Sequence, residues 1–307
     1  MSTVAELPCR LSLAESTQIH RSSAPMHQSV WTFFAVCAGG LILASVVSGV
    51  VLTTAAVGSQ GPQVLTGTDQ FLDWFARFAQ TRLGLVVLLL PSQLVLLLAA
   101  WGAGLTSQGR LLDSLRLRSG RLPIRTWWVF LLATPVVSLA TSQALSIFPR
   151  ELSPTLVALE TGFRVQAHQS FWLLLVLAAL VPALGEELLF RGYLQTRLTE
   201  RWPAGWAILA SALMFSAMHL SPLHALSVLP LSLWLGLVAW RAGSIWPAIL
   251  GHAANNTLAT LGMRFRSPGE LGLQFDALTF GILIVGVPAF FISLCWLRPI
   301  SKGPAAA

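Results

Sequence analysis

The chain has 307 residues, of which 55% are hydrophobic and only 10% charged, with a formal net charge of +7. Soluble domains carry about 25% charged residues, so this composition excludes an ordinary soluble domain. The positive balance rests on 18 Arg and one Lys, mostly in short segments between apolar runs. Membrane topology accounts for such a distribution, and nucleic-acid binding is not expected.

Residues 1–29 are polar and lack the apolar core of a signal peptide, so they read as a cytoplasmic tail. Eight apolar segments follow, at 30–57, 83–105, 127–148, 171–190, 204–220, 223–240, 244–262 and 277–297. A crossing needs about 20 residues, within a range of about 17–25. The expected fold is therefore all-α: a polytopic membrane protein with about eight transmembrane helices in one bundle. The fifth and sixth segments are the least distinct, because Pro222 and Pro230 interrupt their apolar run. Residues 30–170 are expected to form supporting helices, 171–298 a working half, and 299–307 a second cytoplasmic tail.

Basic residues orient the bundle. With the N-terminus cytoplasmic, 13 Arg and Lys fall inside, five of them in loop 106–126. Six fall outside: Arg77, Arg82, Arg150, Arg164, Arg264 and Arg266. Both termini are then cytoplasmic. The protein is expected in a membrane, and the Arg-to-Lys ratio points to a GC-rich bacterial genome and hence to the bacterial inner membrane. The lipid bilayer is its first partner. Cys9, Cys37 and Cys295 form no spaced pair and suggest neither a disulfide nor a thiolate metal site.

Acids are absent from the first three spans and concentrate at Glu186-Glu187 at the end of the fourth. A charge at the middle of a membrane helix costs about 2.5–3.5 kcal/mol even on the lenient insertion scale. Glu187 and Arg191 are four apart, share a helical face and can pair. Glu186 is turned about 100° away and has no partner on its own helix. A structural ion-pair cluster would use Glu187 and Arg191 but would leave Glu186 over.

The fifth span holds Phe215-Ser216-Ala217-Met218-His219, and the seventh His252-Ala253-Ala254-Asn255-Asn256. A lone buried His is more often a satisfied core residue than a catalytic one. A polar pair such as His252 and Asn256 can be mere interhelical glue, worth about 0.6 kcal/mol. Asn255 points away from that pair. Taken together, a spare carboxylate, two imidazoles and an amide are what water activation and oxyanion stabilisation require. His20, His27, His168 (in an outside loop) and His224 (interfacial, close to His219) rate lower.

These motifs, Glu186-Glu187-x-x-x-Arg191, Phe215-x-x-x-His219 and His252-x-x-x-Asn256, occur in this order on successive spans. They resemble the CPBP family of CAAX-type prenyl endopeptidases and bacteriocin-processing or self-immunity membrane proteases, also called Abi. The resemblance covers about 171–262. It implies an eight-helix intramembrane endopeptidase whose site lies in a cavity open toward the cytoplasm. Its substrate would be a membrane-associated peptide or protein.

By position, Glu186 is similar to the family's general base, acting on water with His219. His252 and Asn256 are similar to its oxyanion site. Glu187 and Arg191 would fix Glu186, with Phe215 in support. The resemblance leaves two mechanisms open. One is metal-free water activation, which is favoured because no H-E-x-x-H helix is present. The other is zinc held by Glu186, His219 and His252.

Two other functions fit parts of the pattern. A non-catalytic scaffold or immunity protein would not need every group. A proton-coupled transporter would favour internal repeats, and none is visible. Geometry sets one condition. With straight spans, Glu186 and His219 lie roughly 14 Å apart in depth. Either the fourth span bends at Pro182 and Gly185, or residues 203–209 extend beyond the membrane core. Glu186, His219, His252 and Asn256 are expected to converge at one depth.

Overall fold

The computed structural model describes residues 29–107, 109–147, 153–219, 221–265 and 276–297. The expected tails at 1–29 and 299–307, with Cys9, His20 and His27, lie outside the described residues apart from Ser29. All regular elements among those residues are helical. The longer ones are α1 (Val30–Gln60), α2 (Thr68–Ala79), α3 (Arg82–Leu105), α4 (Trp127–Leu145) and α5 (Pro154–Gln169). Then come α6 (Phe171–Thr199), α7 (Ala204–Ala217), α8 (Pro222–Ala242), α9 (Trp246–Phe265) and α10 (Ala277–Leu297).

The chain is an all-α integral membrane protein. Among the described residues, six helices are long and apolar enough to cross a membrane: α1, α3, α6, α8, α10 and the stretch Ile124–Leu145 that contains α4. Two of the eight expected spans fall short of that measure for different reasons. The fifth has only the 14 residues of α7. The seventh, α9, has 20 residues, but His252, Asn255 and Asn256 dilute its apolar character.

Two helices fill segments expected to be loops. The first is α2, whose Phe71, Trp74, Phe75 and Phe78 lie on one side and pack with Ala56 of α1 and Ala158 of α5. The second is α5, in whose last turn His168 sits rather than in a loop. Neither segment has a span-length apolar run, which is why the sequence reading passed over them. Gln166 Nε2 donates to the Gln80 carbonyl and so ties α5 to the end of α2.

The bundle is built around α6. In its most apolar stretch 61% of the residues are buried, against 17–39% in the other five long helices. A helix apolar on all sides belongs inside a bundle. It packs against α1, α3, α7, α8 and α9. Residues 185–198 are all buried, so α6 runs nine residues past the end read from sequence.

Two π-helical stretches, Val176–Leu180 and Leu188–Gln195, flank about two α-helical turns, Val181–Glu187. Pro182 has no N–H to give to the preceding turn, and a widened turn precedes it. In the second π stretch the Phe190 and Arg191 carbonyls also accept from Ser211 Oγ (3.1 Å) and Thr196 Oγ1 (2.9 Å).

The arginine-rich loop closes one end of the bundle. Arg121 N donates to the Ala242 carbonyl, Ile245 N to Arg116, and Trp246 Nε1 to Leu117. Buried Arg197 pairs with Glu200 and reaches the Ser114 carbonyl. Burial and neighbouring Arg121 hold the Arg116 guanidinium below the usual arginine range.

α4 lies against α8, α9 and α10. Thr134 Oγ1 on α4 accepts from Trp234 Nε1 of α8 at 3.1 Å and donates to the Phe130 carbonyl at 2.6 Å. The same hydroxyl occupies the place that a Cβ on Gly251 would take. Glycine therefore lets α9 approach α4 one residue before His252. Overpacking at such a contact costs about 1–3 kcal/mol. Gly251→Val is expected to lower the unfolding temperature in detergent. Gly39→Ala, at a glycine with open space around it, should leave that temperature unchanged or raise it.

Candidate active site

Glu187 and Arg191 meet as their spacing predicts. Arg191 Nη1 donates to Glu187 Oε1 at 2.7 Å, with the two side chains 1% and 0% exposed. Arg191 Nη2 also donates to Ser232 of α8, to its carbonyl at 2.9 Å and its hydroxyl at 2.8 Å. The guanidinium lies over the Phe215 ring, 4.8 Å from its centroid. A buried cation–π contact of this kind adds about 2 kcal/mol.

Glu187 has a second donor. His252 Nδ1 on α9 lies 2.9 Å from the same Oε1. A carboxylate oxygen only accepts, so Nδ1 carries the proton and His252 turns Nε2 outward from this pair. Nε2 then stands 3.9 Å from Glu186 Oε2. The imidazole next to Glu186 is therefore His252 rather than the expected His219. The Glu187–Arg191 pair steadies His252, whereas it was expected to fix Glu186.

Glu186 is held from another helix. Gln93 Nε2 on α3 donates to Glu186 Oε1 at 3.1 Å. The sequence reading missed Gln93 because it searched the first three spans only for acids. The signal was an amide in an otherwise apolar run. Gly185, expected to serve as a bend, has a different place: a Cβ there would lie 3.1 Å from Gln93 Oε1 and 3.5 Å from Leu97. It allows α3 and α6 to approach at the level of Glu186.

His219 lies just past the end of α7. Its Nδ1 donates to the Phe215 carbonyl at 3.2 Å, which leaves Nε2 free of that bond. Phe215 contacts both histidine rings, 5.3 Å from His219 and 6.1 Å from His252 between centroids. Phe190 meets it edge-on at 5.1 Å. His224, at the start of α8, comes within 4.5 Å of the His219 ring. Asn256 stands one turn beyond His252, and its Oδ1 accepts from Asn255 Nδ2 at 3.3 Å. Asn255 is thus turned toward Asn256, not away from it.

The depth conflict between Glu186 and His219 is removed by the length of α6. Counted from Thr199 at 1.5 Å per residue, Glu186 lies about 20 Å up its helix; counted from Ala204, the end of α7 at Ala217 lies about 20 Å along, with His219 just beyond it. The last turns of α6 and the first turns of α7 run beside each other. Both extend past Gly192, which packs on the Leu115 carbonyl and Ile245.

A zinc site would require Glu186, His219 and His252 to close on one point. Among the described residues no three His, Cys, Asp or Glu side chains form a group able to hold a metal ion. As placed, these residues do not form the three-ligand set, and no step is derived through zinc.

The comparisons bear on this segment. Residues 168–258 match the Rce1-like type II CAAX prenyl endopeptidase family. The matched segment contains every motif residue from Glu186 to Asn256 and leaves out Gln93. No curated protein and no solved structure matches the chain. The resemblance to CAAX-type proteases carried by the three motifs thus agrees with the family model over the same helices.

Removing one member of a buried ion pair costs about 3–5 kcal/mol, because the other charge stays buried. Arg191→Met is expected to destabilise the protein by about that amount, read as a large fall in its unfolding temperature in detergent. Glu187→Leu combined with Arg191→Met should recover part of the loss.

Proposed function

We propose that the protein is an intramembrane endopeptidase that hydrolyses a peptide bond of a membrane-associated peptide or protein. One observation carries the reading: within the segment that matches a CAAX prenyl endopeptidase family, a buried carboxylate stands beside an imidazole. Glu186 is 7% exposed and His252 is 3% exposed, with 3.9 Å between Oε2 and Nε2.

In this reading Glu186 takes a proton from water as the water oxygen attacks the substrate carbonyl. Asn256 Nδ2 donates to the oxyanion that forms, and His252 does so when Nε2 carries a proton as well as the Nδ1 held by Glu187. The C–N bond then breaks, and the departing amine takes up the proton, with His219 as the relay. Gln93 Oε1 and Glu187 Oε2 are buried acceptors with no partner among the described residues. A water molecule, with two O–H groups to donate, suits a site that has more acceptors than donors.

The membrane is read as the bacterial inner membrane, with the arginine-rich end and both termini cytoplasmic. Whether the substrate carries a prenyl group, as the family's description implies for that family, is tested by offering peptides with and without one.

A general base contributes about 10²–10⁴-fold. Glu186→Gln is therefore expected to lower cleavage by at least a hundredfold in purified, folded protein. Membrane proteomes of cells expressing wild type or Glu186→Gln should differ by a cleaved terminus found only with wild type. Equal termini in both, with equal protein levels, would overturn the reading.

A further inference from the structure

Gln93 has no place in the motifs and lies outside the matched segment, yet it is the only side chain of another helix that hydrogen-bonds Glu186 among the described residues. We infer that Gln93 is a positioning residue for Glu186, fixing that carboxylate so that its second oxygen faces His252. The inference rests on the reading of Glu186 as the base.

Three observations support it. Gln93 Nε2 donates to Oε1, which leaves Oε2 as the oxygen on the His252 side. The other end of the amide, Gln93 Oε1, is buried with no partner among the described residues. An unsatisfied buried polar group costs about 1–3 kcal/mol. The free end of the amide thus carries a cost that the apolar side chains at most other positions of α3 do not. Finally, Gly185 leaves the space that the amide occupies: a Cβ at that position would stand 3.1 Å from Oε1. The glycine beside Glu186 and the glutamine opposite it form one fitted contact between α3 and α6.

The geometry explains why the base needs help from α3. Glu187 is locked by Arg191 and His252. Glu186 has neither contact at hydrogen-bonding distance, since His252 Nε2 is 3.9 Å away. Without Gln93 its carboxylate is free to rotate about its side-chain bonds. A misplaced base lowers the rate of the chemical step without altering how a distant part of the substrate binds.

The test uses purified full-length protein in liposomes, with a quenched-fluorescent farnesylated CAAX peptide as the probe. Gln93→Met keeps the length of the side chain and removes the donor. It is expected to lower kcat by ten- to a hundredfold and to leave KM within twofold, in protein that stays folded at the assay temperature. Gly185→Ala should lower kcat through the same contact. The double variant should be no slower than Gln93→Met, since the two changes break one interaction. Gln93→His, which keeps a donor, should recover part of the rate.

Infrared difference spectra need no cleavage. The carboxylate band lost in Glu186→Gln should shift in Gln93→Met. An unchanged kcat and an unshifted band in Gln93→Met would overturn the inference. So would a rate loss that merely follows a fall in unfolding temperature. Full activity in Glu186→Gln would instead overturn the reading of the base itself, and the unshifted band would still decide the contact.

Discussion

Glu187 and Arg191 are charges placed where water does not reach, and the arrangement of four helices follows from satisfying them. The pair sits on α6, but its other contacts come from neighbouring helices. Ser232 fixes α8 against the guanidinium. His252 fixes α9 against the carboxylate. The Phe215 ring fixes α7 against the face of the guanidinium. Each partner is a specific group at a specific height, so the charge pair sets the register of the helices around it. Apolar packing alone provides no such register in a membrane, where lipid tails are as apolar as leucine.

The two neighbouring carboxylates therefore have separate environments. One receives Arg191 and His252 on a single oxygen and is locked between them. The other receives a single amide from α3 and faces an imidazole. Their side chains differ by about 100° around the helix, and that angle is sufficient to send them into different interfaces. The π-helical turns on both sides change the local pitch, a feature that recurs at functional sites.

Much of this was legible in the sequence. The four-residue spacing of Glu187 and Arg191 led directly to their ion pair, and the apolar runs marked the long helices. Other parts were hidden for physical reasons. Gln93 leaves no periodic trace, because a single amide in an apolar helix looks the same whether it faces lipid, a neighbour or a carboxylate. The true end of α6 was masked by Gln195, Thr196 and Arg197, which read as a polar loop but are all buried. That His252 stands beside Glu186 was not legible, because face and order along the chain were available while the packing of α9 against α6 was not. The motifs marked which residues belong together, and contacts between helices decided which of them touch.

One feature of α7 bears on the lipid around the protein. Its 14 residues rise only about 21 Å, against a hydrocarbon thickness of about 30 Å. Trp206 and Leu213, at 65% and 50% exposed, give it an outward apolar face. Acyl chains beside that face meet a hydrophobic wall shorter than themselves and must tilt or shorten, at a fraction of a kcal/mol per Å of mismatch. A bilayer that covers this face is strained beside the helix that leads to His219, which links bilayer thickness to this side of the protein.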